Sequence, residues 1–192
     1  GNPGAKLLFE APRLRAVESL ALDTCELGAE AIAALVASPM WSTLRELDLS
    51  RNPLGVDGIR ALAAASPPPH LHTLKLADVD LDVAAVDALA GITWLPQLVV
   101  LDLSNNEIYS FDHFAHLGGG SLKQLLLAKT DLRDLNVVAQ IAQTLAVLDL
   151  AHCGFGDEGI ATLVANVPPE LHTLDLEACR MTGEGFRTLC KA

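Results

Sequence analysis

The stretch Leu98-Val-Val-Leu101-Asp-Leu103-Ser-Asn-Asn106-Glu-Ile108 places Leu or Ile at its first, fourth, sixth and eleventh positions and Asn at its ninth. Leu101 and Leu103 alternate with neighbours of other kinds, the pattern of a short strand with one buried face. Asn106 falls where the chain leaves that strand, and a carboxamide there supplies the partners that buried backbone groups require. The phrase recurs along the chain, with copies starting at Val17, Leu44, Leu71, Leu98, Leu122, Leu145 and Leu171. Successive starts lie 27, 27, 27, 24, 23 and 26 residues apart. A period in this range marks a stack of like units, each burying its face against the next. The ninth position reads Cys25, Asn52, Val79, Asn106, Thr130, Cys153 and Cys179. Cys and Thr replace Asn in part, whereas Val79 has no polar group, so its unit needs another arrangement.

After the phrase, the longer copies show apolar residues at helical spacing, as in Asp57-Gly-Ile59-Arg-Ala-Leu62 and Glu158-Gly-Ile160-Ala-Thr-Leu163-Val164. Asp57, Asp157, Glu158 and Glu184 fall in the expected first turns, where carboxylates complement the helix dipole. Ser66-Pro67-Pro68-Pro69 and Pro168-Pro169 end helices before the next strand. The copies starting at Leu98 and Leu122 leave little room for a full helix. The residues from Phe111 to His116 are predicted to form a single turn or 3₁₀ segment ahead of Gly118-Gly119-Gly120.

On these residues the chain resembles the leucine-rich repeat superfamily, with Leu-x-x-Leu-x-Leu-x-x-Asn/Cys-x-Leu recurring from about residue 14 to residue 192. Leu54-Gly-Val-Asp-Gly-Ile-Arg-Ala-Leu62 and Phe155-Gly-Asp-Glu-Gly-Ile-Ala-Thr-Leu163 resemble its ribonuclease-inhibitor-like subclass, mixed here with two shorter units. The resemblance implies an α/β solenoid, a right-handed horseshoe with a concave parallel sheet of about seven strands and helices on the convex side. The expected organisation is one domain over residues 1–192, with residues 1–16 as an N-terminal covering or appended segment. Leu7, Leu8 and Phe9 are the residues available to cover the first unit.

Composition narrows the function. Hydrophobic residues make up 51% and aromatics only 4%, which fits a core of small repeated layers. The formal net charge of −11 argues against nucleic acid or an anionic membrane as partner and favours a basic protein segment. No apolar run approaches a membrane span. Gly1 to Lys6 lacks the features of a secretory signal, and Leu189-Cys190-Lys191-Ala192 carries no evident polar cap. A piece of a longer chain is therefore expected. Cys25, Cys153 and Cys179 are predicted to point inward as free, poorly reactive thiols, with Cys190 exposed, which suits a reducing, cytoplasmic compartment. Cys153 and Cys179 lie one strand spacing apart, which does not exclude a disulfide, but parallel side chains favour free thiols.

Residues between the buried leucines form columns on the concave face. One column reads Ala21, Asp48, Lys75, Asp102, Leu126, Asp149, Asp175, and its neighbour Ser19, Glu46, Thr73, Val100, Gln124, Val147, Thr173. Seven strands make a strip roughly 30 Å long, enough for one helix or strand of a partner. The expected partner-binding residues are Val100, Leu126 and Val147 as an apolar centre, with Asp102, Gln124 and Asp149 as rim and Asp48 and Asp175 extending the acidic column. A basic or amphipathic protein segment is the partner this face fits.

Catalytic readings are weaker. His152-Cys153 has the composition of a thiol nucleophile pair, but its cysteine occupies an inward position. His113 and His116 near Asp112 have a metal-compatible spacing without a fourth ligand. His72 and His172 repeat the unit phrase four units apart. Gly118-Gly119-Gly120 lacks the following Lys-Ser/Thr of a phosphate loop. No catalytic residue, metal or cofactor is expected. Two alternatives stand beside the protein-binding module. The resemblance includes relatives that stimulate GTP hydrolysis from loop residues, which puts Arg51 forward. The chain could also be a structural segment of a larger cytoskeletal or signalling protein.

Overall fold

The computed structural model describes residues 1–191. Period-two alternation gives each unit a three-residue strand: β1 Ser19–Ala21, β2 Glu46–Asp48, β3 Thr73–Lys75, β4 Val100–Asp102, β5 Gln124–Leu126, β6 Val147–Asp149 and β7 Thr173–Asp175. They form one parallel sheet in chain order, with Leu20, Leu47, Leu74, Leu101, Leu125, Leu148 and Leu174 in a single register. The five inner leucines of that row are fully buried, while Leu20 and Leu174 at the two edges are half-buried because each lacks one neighbour.

The other layer holds the helices: α1 Asn2–Glu10, α2 Ala29–Ala37, α3 Gly55–Ala63, α4 Val83–Ala90, α5 Asn136–Ile141, α6 Gly156–Ala165 and α7 Gly183–Leu189. Their apolar stripes, such as Ile59 and Leu62 of α3, complete a core shared with the strands. The predicted carboxylates Asp57, Asp157, Glu158 and Glu184 do stand in first turns. The first turn of α6 leaves no room for a side chain at Gly159: a Cβ there would lie 2.6 Å from the Cβ of Phe155, which caps the same helix. Shortening acts unequally on the two short units. The unit starting at Leu98 has only a 3₁₀ helix, Asp112–Leu117, where Phe111 and Phe114 stack at 4.4 Å and fill the helix layer. The unit starting at Leu122 keeps the six-residue α5 and adds a 3₁₀ turn, Ala142–Thr144.

The ninth-position ladder works between units. Asn52 Oδ1 accepts from the backbone N–H groups of Cys25 and Leu27 at 3.0 and 2.9 Å, both in the preceding unit. Its Nδ2 protons are shared among the carbonyls of Leu22, Leu49 and Ser50. Asn106 serves Val79 and Leu81 in the same way, at 3.1 and 3.3 Å. Val79 is therefore satisfied through its backbone by the next unit. Where the following residue is Val79 or Thr130, the loop closes on itself: the N–H of Leu54 donates to the carbonyl of Asn52, and that of Ile108 to Asn106. Just before the ladder position, Thr24, Arg51, Asp78, Asn105, Lys129, His152 and Ala178 all take φ between 55° and 61°. Six of their N–H groups donate to the next unit's backbone, as Arg51 does to Ala77 and Lys129 to Ala151.

Two end features depart from expectation. In α1, Ala5 and Phe9 cover the first unit, but Leu7 is 73% exposed, so one of the three residues expected to cover it faces outward. Cys25 is half-buried, not enclosed, because α1 covers the helix layer and leaves the loop behind β1 without a preceding unit. Trp94 has no hydrogen-bond partner for its buried indole N–H. The indole of Trp41 packs edge-on against it at 5.9 Å and donates to the carbonyl of Ser66, in the turn after the next unit's helix. For Trp94 the corresponding next unit is the one that lacks an α-helix.

Candidate protein-interaction face

The open face of the sheet carries the side chains that the leucines leave outside. Strand register aligns Asp48 with Lys75, Lys75 with Asp102, Asp102 with Leu126, Leu126 with Asp149 and Asp149 with Asp175. The adjacent row aligns Thr73, Val100, Gln124, Val147 and Thr173. Val100, Leu126 and Val147 thus come together on β4, β5 and β6, beside Asp102, Gln124 and Asp149. Gln124 and Asp175 are exposed. Val100, Leu126 and Val147 are half-buried, not fully open to solvent, since neighbouring strands lie close enough to shade them.

The aspartates of the column have a structural task that charge reasoning alone does not reveal. One oxygen of Asp48 accepts the N–H of Ser50 at 3.0 Å, and Asp102, Asp149 and Asp175 do the same two residues on at 2.9 Å. Each carboxylate closes a turn at its strand's end. Lys75 also lies 3.6 Å from Asp48, which reduces the negative field at that end. The negative field is left mainly to Asp102, Asp149 and Asp175, around Leu126.

The remaining candidates separate. The guanidinium of Arg51 is engaged by the Asp23 carboxylate, and that bond holds Asp23 below the usual carboxylate range and raises Arg51. His113 Nδ1 lies 2.9 Å from Asp87, and His116 Nδ1 is 3.2 Å from the carbonyl of His113. Among the described residues no three His, Cys, Asp or Glu side chains converge as a metal site. His152 is exposed near Glu177 while Cys153 points into the core, so the two never meet a common substrate. The Cys153 and Cys179 thiols are free and reach the carbonyls of Leu127 and Leu150 at 3.2 and 3.0 Å. Burial pushes Cys153 up and Cys179 up to about 11, so neither is a thiolate nucleophile near neutrality. Sequence reasoning missed an apolar groove beside α4, at Val83, Val86 and Tyr109. The available signal was the shortened unit starting at Leu98, which has only a 3₁₀ helix beside α4.

A family profile described as "Leucine Rich repeat" matches residues 42–63 and 142–164. No curated protein matches the chain. Among solved structures the fold is similar to internalin C2 of Listeria monocytogenes, with a TM-score of 0.57 and 20% identity, over 90% of this chain and 77% of that one.

Proposed function

From the premise that this chain is a leucine-rich repeat protein, we propose that it is a non-catalytic module that binds a protein partner on the open, concave face across β4 to β6. Leucine-rich repeats in general support protein interaction, and a fold of this kind fixes a scaffold more than a task. The observation that carries the reading is Leu126. Its column neighbours Asp102 and Asp149 each close a turn through a backbone N–H, whereas Leu126 can do no such thing and is not in the core. With Val100 and Val147 it makes an apolar centre inside a polar rim of Asp102, Gln124 and Asp149, the anatomy of a protein interface. The acidic rim, with Asp48 and Asp175 farther along, suits a basic or amphipathic partner segment and acts mainly on the association rate.

The test is affinity capture with quantitative mass spectrometry, comparing the native chain with Leu126→Asp, Val147→Asp and Arg60→Glu. Arg60 stands exposed on α3, in the helix layer. The reading expects at least one captured protein to be lost in both sheet-face variants and kept by Arg60→Glu. A partner kept by both sheet variants and lost on Arg60→Glu places binding on the helices and overturns it.

A further inference from the structure

Val56 and Val83 occupy the same position in consecutive long units, the second residue of α3 and the first of α4. Val56 packs against the core, yet Val83 is 65% exposed. The difference lies in the neighbour: α3 is flanked by α4, whereas α4 is followed by the unit that has only the 3₁₀ helix Asp112–Leu117. The chain of that unit runs past α4 as an open loop, and Tyr109, 51% exposed, stands across from Val83. Between them lies a cavity of about 130 Å³ with Val86 in its wall. Asp87 and His113, 2.9 Å apart, also line it.

Glu107, also in its lining, borders a larger depression of about 420 Å³ that holds Asp78, Asp80 and Asp82. Asp82 caps α4 through the N–H of Ala85, and no Lys or Arg lines either depression. An apolar slot that opens into an uncompensated acidic depression selects one chemistry: an apolar side chain followed by cationic ones.

We propose that this groove on the outer side of the solenoid, separate from the sheet face, is a docking site for a peptide segment of a partner protein with one aliphatic anchor flanked by Lys or Arg. The anchor fills the space between Val83 and Tyr109 that a full-length helix in the unit starting at Leu98 would otherwise cover. The cationic residues meet Asp80 and Glu107, which long-range attraction recruits and the apolar contact then retains. This site does not depend on the sheet-face reading, and either can fail alone.

The probe is a fluorescein-labelled Lys-Arg-Leu-Lys-Arg peptide, followed by anisotropy, with Lys-Arg-Ala-Lys-Arg as comparison. The proposal expects the leucine peptide to bind at least about tenfold more tightly than the alanine peptide. Val83→Ser with Tyr109→Ser should erase that preference. Both side chains are exposed, so the melting temperature serves as a check that the variant is folded. Asp80→Lys with Glu107→Lys should weaken both peptides, most at low salt. In the nitrogen-labelled protein, the leucine peptide should shift the amide resonances of Val83, Val86 and Glu107. Equal affinity for the two peptides, an unaltered preference in the Val83/Tyr109 variant, or shifts confined to β4–β6 would each overturn the proposal.

Discussion

Asn52→Ala removes every bond that one carboxamide makes between the first two units. Two backbone donors, the N–H groups of Cys25 and Leu27, lose the oxygen they share at 3.0 and 2.9 Å. The carbonyl of Ser50 still accepts from Thr24 at 3.1 Å, while those of Leu22 and Leu49 lose the Nδ2 donor as well, so a count of the two unpaired N–H groups alone is a lower bound. A buried donor left unpaired costs about 1–3 kcal/mol, so two of them set a loss of about 2–6 kcal/mol. Water entering the vacated space offsets part of this, and we take about 2 kcal/mol as the least expected. With a urea slope of about 2 kcal/mol per molar, the denaturation midpoint falls by about 1 M. Thr130→Ala is the internal comparison. Its hydroxyl donates to the carbonyl of Leu127 at 2.8 Å, and that carbonyl keeps the Cys153 thiol. Its cost should stay near about 1 kcal/mol. Hydrogen exchange would place the damage, with protection lost first at Cys25 and Leu27. Equal midpoints for Asn52→Ala and Thr130→Ala, or unchanged exchange at those two amides, would refute the reasoning.

Other expectations rest on single contacts. Trp41→Phe should cost about 1 kcal/mol, since it abandons the Ser66 carbonyl, whereas Trp94→Phe should be neutral or stabilising because it removes an unpaired buried donor; thermal melts of the pair should separate them, and equal losses would count against the assignment. Leu103→Ala opens a cavity in a fully buried layer and should lower stability by about 2–5 kcal/mol by urea titration. With a thiol reagent in native buffer Cys190 should label fastest, Cys25 next, and Cys153 and Cys179 only on unfolding. Cys179 titrates at about 11 in the folded chain against an ordinary 9.0, so its contribution is whole below pH 9 and is lost as pH rises toward 11. Cys179→Ala should flatten the alkaline decline of stability, and an unchanged slope would contradict the shift.

The strand register was legible because period-two burial leaves no freedom: a slip of one residue would turn Leu101 and Leu103 outward. The Asn ladder was legible at Asn52 and Asn106 for a similar reason, since only a carboxamide both donates and accepts at that turn. The charge column was legible only as position. That Asp102 and Asp149 each hold a backbone N–H depends on local turn geometry, which composition does not carry. The half-burial of Cys25 and the exposure of Val83 were not legible either. Both are set by a neighbour that is missing, and a repeat pattern describes each unit as though both neighbours were present.

The seven left-handed residues at the strand exits differ in every chemical respect, from Lys129 and Asp78 to Ala178. In six of them, Ala178 excepted, the N–H also donates to the adjoining unit's backbone, and none needs a particular side chain to hold a conformation whose steric cost is about 1–2 kcal/mol for most non-glycine residues. Exchanging one for another therefore leaves folding almost indifferent. The solenoid thus presents an edge whose spelling is free: a line of positions about 4.8 Å apart where mutation can rewrite surface chemistry without renegotiating the architecture beneath. Lineages that share this scaffold can diverge in recognition along that edge first, and a library randomised at Thr24, Arg51, Asp78, Asn105, Lys129, His152 and Ala178 would explore new specificities from a constant fold.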